Sequence, residues 1–333
     1  MGVKAIYGRY RGGRLWGQGK LVLADGTTRQ GWFQGGWMQG PCRGCRQDGD
    51  QKVEFIGHYR AGRPHGVCWT MTKGGGWLVG RQDGRGEYTG SGIAFLYPDL
   101  STAIVGEFCR GVLVRGMAAT VTNTALEDGL LVPSFTTLPG KEFSYWPSTL
   151  QDVVCPLHQA DPYESRQVEV AVSRLEDSGE GLYARTHLPA STIVAFYNGI
   201  RVPQGAANPH KGYGYCIFVD WGKQLPFPFP WVKEGEMIDI PEKYQSTRDY
   251  SATLAHKANH TFTPNCEFTN FCHPCYGLIP AIMTTIEVAR GEELTIHYNL
   301  DMKVRGYNFM AESASGCPGL VPGRLGDCKL KFC

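Results

Sequence analysis

The segment His256-Lys257-Ala258-Asn259-His260-Thr261-Phe262-Thr263-Pro264-Asn265-Cys266 gathers histidine, asparagine and proline within a few positions. That mixture makes a poor helix and a poor strand. It can present side-chain and backbone hydrogen-bonding groups to a polar ligand. Three further segments share the C-terminal half. Gly291-Glu292-Glu293-Leu294-Thr295-Ile296 runs into His297-Tyr298. Phe196-Tyr197-Asn198-Gly199 reads as a strand end followed by an Asn-Gly turn. Ser178-Gly179-Glu180-Gly181-Leu182-Tyr183-Ala184 matches the G-x-G-x-x-A dinucleotide pattern. That pattern requires a helix next, whose N-terminus holds pyrophosphate. Here Thr192–Tyr197 follows, β-branched and aromatic, a strand. No acidic residue stands about 20 positions on to bind a ribose. A nicotinamide site is therefore rejected. What remains is a glycine turn that lets a ligand approach the backbone closely.

The first third of the chain is a repeat. Similar segments open at Gly8, Gly31, Gly57, Gly80 and Gly106, at intervals of 23, 26, 23 and 26 residues. Each unit holds an apolar alternating run, such as Lys20-Leu21-Val22-Leu23, followed by a turn such as Asp25-Gly26. Alternation bounded by glycine turns predicts one β-hairpin per unit, stacked into a long twisted antiparallel sheet. The units resemble the MORN repeat, an aromatic–x–Gly segment with a second glycine a few residues later. That resemblance implies a scaffold or partner-binding surface; a sheet that only buttresses its neighbour is the favoured expectation. From Ala118 to Pro162 the periodicity ends, predicting a connecting region over 118–165. Val168-Glu169-Val170-Ala171-Val172 predicts the strand that opens the next domain.

Composition narrows the function class. The 333 residues suffice for two cores; 44 glycines, 12% aromatics and 19% charged residues favour turn-rich β structure. No run of 18 apolar residues suggests a membrane span. Residues 1–10 lack the apolar centre of a signal peptide, and Ile6 stands where myristoylation needs Ser or Thr. Twelve cysteines then point to reduced thiols in the cytosol or nucleus. Cys42-x-x-Cys45 and Cys272-x-x-Cys275 have zinc-knuckle spacing but no second pair at ribbon spacing, so no metal is expected. Residues 1–117 hold 16 Lys/Arg against 8 Asp/Glu, and residues 118–333 hold 17 against 23. The acidic C-terminal half suits a basic peptide. The basic N-terminal half has no Lys/Arg block, so neither sequence-specific nucleic-acid binding nor membrane attachment is expected.

Together, the G-x-G turn, the Tyr-x-Gly element at 197–199, the segment Asn259-His260…Pro264-Asn265 and Glu292-Glu293-Leu294-Thr295…Tyr298 resemble the SET domain in order and spacing. With the repeats, the chain resembles the MORN-repeat SET-domain histone H3 lysine methyltransferases of animals, over residues 1–301. The resemblance implies a mainly β protein: a MORN sheet over 1–117, the connecting pre-SET region over 118–165, and a SET catalytic domain over 166–301 whose two last motifs cross in a pseudoknot. An atypical tail would follow over 302–333. It implies methyl transfer from S-adenosylmethionine to the fourth-position lysine of the histone H3 tail and to other basic lysine-containing proteins. The implied setting is a monomer in the nucleus at chromatin, and also in the cytoplasm. Carried over by motif, Ser178, Gly179, Glu180, Asn259 and His260 would hold the cofactor. Tyr197, Tyr298 and His260 would serve catalysis. Tyr197, Phe268, Tyr298 and Leu300 would line the lysine channel. The alternative is a weak or inactive SET-like module that binds partners through its repeats.

Three departures from the family pattern stand out. Phe268 replaces a tyrosine, which implies room for a methylated amine to turn and react again, giving di- or trimethyl-lysine. Leu300 replaces a second channel tyrosine. Residues 302–333 lack the tryptophan of the family's closing helix, with Tyr307, Phe309 and Glu312 the nearest substitutes. An apolar, proline-rich insertion at 203–241, including Val219–Gly222 and Pro226–Pro230, also differs; the resemblance implies that it faces the substrate, and an exposed loop with a few buried aromatics is the equal alternative.

Overall fold

The computed structural model describes residues 2–48, 51–83, 85–127, 129–146, 158–203, 216–218, 236–240, 244 and 246–298. Leu300, the tail over 302–333 and most of the 203–241 insertion lie outside the described residues.

Eleven strands form the first sheet: β1 (Val3–Arg11), β2 (Arg14–Leu23), β3 (Thr28–Gln34), β4 (Trp37–Asp48), β5 (Gln51–Arg60), β6 (Arg63–Met71), β7 (Trp77–Arg81), β8 (Gly90–Leu96), β9 (Thr102–Cys109), β10 (Val112–Glu127) and β11 (Leu130–Thr137). Each pairs with its neighbour in sequence order. The glycines that opened the repeats sit one per odd-numbered strand, aligned across the sheet. Gly8 lies opposite Gly19, Gly19 opposite Gly31, and Gly31 opposite Cys42. Cys42 is then opposite Gly57, Gly57 opposite Cys68, and Cys68 opposite Gly80. The row is small for a steric reason. A Cβ on Gly31 would lie 2.8 Å from Pro41 O, and one on Gly106 would lie 2.0 Å from Arg115 O.

The sheet does not stop at residue 117, where the repeat signature ends. It continues through β10 and β11, so residues 118–127 and 130–137 of the expected connecting region are sheet. Ladder pairing needs only extended, β-branched chain such as Ala119-Thr120-Val121, not the repeat's glycines. This hairpin curls back over the sheet, where the Trp69 indole N–H donates to Leu131 O at 2.8 Å. Residues 143–146 cross to the second domain: Phe143 bridges Gly116, and Trp146 N–H donates to Cys275 O at 2.7 Å.

The second domain carries a short helix, α1 (Glu164–Gln167), and then β12 (Val168–Val172), β13 (Glu180–Ala184), β14 (Ile193–Phe196), β15 (Ile200–Pro203), β16 (Cys216–Phe218), β17 (Glu236–Asp239), β18 (Asn259–His260), β19 (Cys266–His273), β20 (Gly277–Thr284) and β21 (Glu293–Ile296). The main sheet runs β12-β13-β21-β19-β20-β14, with β18 also on β21, and β15-β17-β16 forms a small sheet beside it. The two domains share one hydrophobic core. Phe95 and Tyr97 from the first meet Phe271 from the second at 6.1 and 6.4 Å between ring centroids. Phe271 then packs on Phe196 at 4.7 Å. Cys272 and Cys275 are buried in this core. Cys42 is buried in a smaller one under β4, where burial pushes its thiol up to about 11.

The turn between β6 and β7 clamps onto β19: Lys73 O accepts the Cys272 N–H at 2.8 Å. Gly74 lies there with φ +89°, and a Cβ on it would meet Phe271 Cδ2 at 2.3 Å and Phe271 Cα at 3.0 Å. Gly75 has φ +88° and open space around it. Gly75→Ala should therefore cost about 1 kcal/mol, from backbone strain alone. Gly74→Ala adds overpacking and should cost about 2–4 kcal/mol. Urea unfolding of both variants checks this; equal losses would show that the clamp on Phe271 is not tight.

Candidate active site

β18 is only two residues long. Asn259 lies opposite Thr295 and His260 opposite Ile296, in parallel. Cys266, at the start of β19, also pairs in parallel with Ile296. On its other side β21 pairs antiparallel with β13, Leu182 opposite Leu294. The late strand β21 therefore lies between earlier segments, and the two motifs cross. Asn265 braces the crossing with its side chain: Oδ1 accepts the Thr295 N–H and Nδ2 donates to Glu293 O, both at 2.8 Å. Asparagine suits this position because its amide carries a donor and an acceptor, as a peptide group does.

The crossing delivers Tyr298 to His260. The Tyr298 N–H donates to His260 Nδ1 at 3.1 Å, and the rings lie 5.3 Å apart. The Tyr298 hydroxyl donates to Ala258 O at 2.9 Å. Burial, with the nearby His297, holds His260 below its ordinary pKa, so the ring is neutral near pH 7. Because Nδ1 accepts a hydrogen bond, the proton of the neutral ring sits on Nε2. Nε2 is buried and has no partner among the described residues.

Behind this pair lies a polar cluster. Lys257 Nζ and Glu180 Oε2 are 2.6 Å apart, and Thr247 Oγ1 donates to Glu180 Oε1 at 3.0 Å. Burial alone would raise Glu180, but Lys257 and Thr247 outweigh it and hold the carboxyl below its usual value. Asn259 Nδ2 donates to Glu180 O and to Glu293 Oε1, each at 3.1 Å. Glu293 also accepts from Ser173 Oγ at 2.6 Å, the Arg174 N–H at 2.9 Å and the Tyr183 hydroxyl at 3.0 Å. Those hydrogen bonds outweigh burial and keep its carboxyl below the ordinary range.

Of the residues named from sequence, Tyr298, His260, Asn259 and Glu180 are linked through these contacts. Tyr197 and Phe268 form a second group, edge-to-face at 6.3 Å, with His256 edge-on to Tyr197 at 6.4 Å. Tyr197 is 4% exposed. Ser178 is half-buried and Gly179 exposed in the loop before β13; Gly179 has φ +68° and open space where a Cβ would be. Three contributors received no role from sequence: Glu293, Asn265 and the Ala258 carbonyl. A signal for Glu293 was present. It is a carboxylate at the head of a four-residue strand that is otherwise Leu-Thr-Ile, and a buried carboxylate needs several donors. Among the described residues no group of three or more His, Cys, Asp or Glu is placed to hold a metal ion.

The model for the SET domain matches residues 179–299. A model described as "Histone H3 K4-specific methyltransferase SET7 N-terminal" matches residues 59–130. Both the crossing and the match lie in the same segment.

The chain carries a SET domain.

Among its relatives is "Histone-lysine N-methyltransferase SETD7" of Halocynthia roretzi, 33% identical over 256 residues, which are 76% of this chain and 64% of that protein. "Histone-lysine N-methyltransferase, H3 lysine-36 specific" of Schizosaccharomyces pombe is 30% identical over 155 residues, 46% of this chain and 18% of that protein. The chain thus spans less than two thirds of the first relative's length and a small part of the second. The 256-residue match to the first is longer than the 121 residues of the SET match.

His256 gives the SET domain a pH dependence. It is 4% exposed, and burial, helped by the Lys257 charge, depresses its pKa from 6.5 to about 3. A depressed histidine binds its proton in the unfolded chain before it does so in the fold. Stability is therefore intact above pH 6.5 and is lost as pH falls toward about 3. The slope approaches about 1.4 kcal/mol per pH unit for one proton. Urea unfolding of wild type and His256→Gln between pH 7 and 4 should show the steeper decline in wild type; parallel curves would show that His256 does not titrate on unfolding.

Proposed function

We propose that this chain is an S-adenosylmethionine-dependent protein-lysine N-methyltransferase. Its proposed substrate is the fourth-position lysine of the histone H3 tail, with other basic lysine-containing proteins, in the nucleus at chromatin and also in the cytoplasm. The observation that carries the reading is the double contact of Tyr298, backbone to His260 and hydroxyl to Ala258 O. The relatives' names point to the same reaction.

The residues fit the cofactor. Gly179 leaves open space beside its backbone, and His260 Nε2–H is a buried donor with no acceptor among the described residues. Ser178, Gly179, the backbone of Glu180, Asn259 and His260 would hold it; the Glu180 carboxylate and Asn259 amide are already engaged by protein groups. S-adenosylmethionine, when bound, supplies an electrophilic methyl group on a sulfonium. The chain's own part is alignment and exclusion of water. Because the Tyr298 hydroxyl proton is given to Ala258 O, the oxygen faces a ligand only as an acceptor. It can therefore hold an amine N–H or a polarised C–H, leaving the nitrogen lone pair directed elsewhere. Tyr197 and Phe268 supply an apolar wall. Such a wall disfavours an ammonium and favours the neutral amine, which is the nucleophile. The excess of Asp and Glu in residues 118–333, 23 against 17 Lys and Arg, suits a basic peptide.

Transfer of labelled methyl groups to a panel of basic peptides tests the reading. Tyr298→Phe should lower kcat about 100-fold, and His260→Ala should weaken cofactor binding. Rates unchanged in both would remove these residues from the site. The product tests the channel separately. With phenylalanine at 268, mass spectrometry should find di- or trimethyl-lysine, and Phe268→Tyr should shift the product toward monomethyl-lysine. Monomethyl product alone from wild type would contradict the role given to Phe268.

One observation favours a second reading, a weak or inactive SET module that binds partners through its repeats. The first sheet holds a cavity of about 430 Å³, lined in part by Arg29, Arg46, Arg85, Phe55 and Tyr59. Calorimetric titration with S-adenosylmethionine separates the two readings: heat of binding supports the enzyme, and none supports the scaffold.

A further inference from the structure

Glu164 opens α1 and is 1% exposed. Its Oε1 accepts two backbone N–H groups, from Phe196 and from Leu254, each at 2.8 Å. Phe196 immediately precedes Tyr197. Leu254 immediately precedes the turn Ala255–Lys257, which leads into Asn259 and His260. One oxygen atom therefore holds, at fixed separation, the two chain segments that carry the candidate channel and the candidate cofactor residues. A carboxylate here costs desolvation. Burial, with Asp161 nearby, raises the Glu164 carboxyl well above its ordinary value, against the pull of the two N–H donors. A glutamate retained at such a cost is expected to hold something that apolar packing cannot.

The same turn reaches the first sheet. Asp161 Oδ1 accepts the Tyr163 N–H at 2.9 Å and the Glu164 N–H at 2.8 Å. Its Oδ2 accepts the Tyr97 hydroxyl and lies 3.0 Å from His273 Nε2. Tyr97 follows β8, and its ring stacks on Tyr163 at 5.1 Å with 1° between the planes. The Tyr163 hydroxyl donates to Ile193 O, at the start of the strand that ends before Tyr197.

We infer that Asp161-Pro162-Tyr163-Glu164 is a positioning device for the methyl-transfer site, with Glu164 the positioning residue and Asp161 its tie to the first sheet. The inference rests on the methyltransferase reading above. Glu164 touches neither substrate nor cofactor; it acts by fixing where Tyr197 stands relative to Asn259 and His260. What it contributes is an acceptor at one point in space, and a neutral amide oxygen at that point serves as well.

Three variants test this: Glu164→Gln, Glu164→Asp and Glu164→Ala. Each is assayed below its unfolding transition with rates normalised to folded protein. Glu164→Gln keeps the acceptor and should hold kcat within about threefold of wild type. Glu164→Asp is one methylene too short to reach both amides, and Glu164→Ala has no acceptor. Both should lose more than tenfold in kcat, with the peptide KM changed less than threefold. A merely structural glutamate would lower the unfolding midpoint and leave kcat per folded molecule unchanged, which would overturn the inference. So would a Gln variant as slow as the Asp variant, because charge and not the acceptor would then matter. If Glu164→Ala does not fold, the Asp and Gln pair decides. If wild type methylates no peptide, the methyltransferase reading fails by itself. Amide exchange then decides the inference: Phe196 and Leu254 N–H protected in wild type and Glu164→Gln but fast in Glu164→Asp supports it, and equal rates overturn it.

Discussion

Two residues of parallel pairing, Asn259-His260 against Thr295-Ile296, are the constraint on which the site depends. So short a ladder is weak by itself, and parallel pairing is less favourable per residue than antiparallel. It persists because side chains complete what the ladder leaves open. Asn265 satisfies Glu293 O and the Thr295 N–H on one side. Asn259 joins Glu180 O to the Glu293 carboxylate on the other. Removing one such partner leaves buried donors or acceptors unmet, at about 1–3 kcal/mol each. Everything placed near Tyr298 follows from that arrangement. The backbone of Tyr298 reaches His260 only because β21 ends alongside β18.

The first sheet takes part in the same structure. It contributes Phe95 and Tyr97 to the core on which Phe196 and Phe271 rest, and its Lys73 carbonyl caps the Cys272 amide. Phe196 lies one residue from Tyr197, and Phe271 lies three from Phe268. The packing that buries the sheet therefore also fixes the walls of the candidate channel. Buttressing and positioning are one property here, since close-packed cores transmit displacement. The cavity in the same sheet, about 430 Å³, borders that core, since Leu78 and Tyr88 belong to both.

Much of this was legible in the chain. The 23- and 26-residue glycine spacing marked the small-residue row, because only residues without bulk fit where adjacent strands approach so closely. The four motifs marked the segments that cross. The end of the sheet was not legible: β10 and β11 lack the repeat's aromatic and glycine signature, and Ala, Thr and Val pair without it. Nor was the engagement of Glu180 and Asn259 with other protein groups, because a motif records residue type and not which atom is already taken. Glu180 faces Lys257, 77 positions away, and Glu293 faces Ser173, 120 positions away. No local pattern carries such distances.

Buried carboxylates recur wherever the backbone departs from regular pairing, and the recurrence has one cause. A crossed chain leaves N–H groups pointing at neither a strand nor water. Arg174 N–H, Phe196 N–H and Leu254 N–H are such groups, met by Glu293, Glu164 and Glu164. A carboxylate oxygen has enough lone pairs to satisfy two at once. The consequences for ionisation then diverge with burial as well as with the donors. Glu293, with hydroxyl, amide and backbone donors that outweigh its burial, stays below its ordinary pKa; Glu164, raised by burial and by Asp161 nearby, goes far above it despite its two backbone donors. The same topological need thus produces an anion beside the candidate cofactor residues and a carboxyl that readily takes up a proton behind Tyr197. An apolar substitute at either place would pack, but it would leave the crossing without the hydrogen bonds that define it.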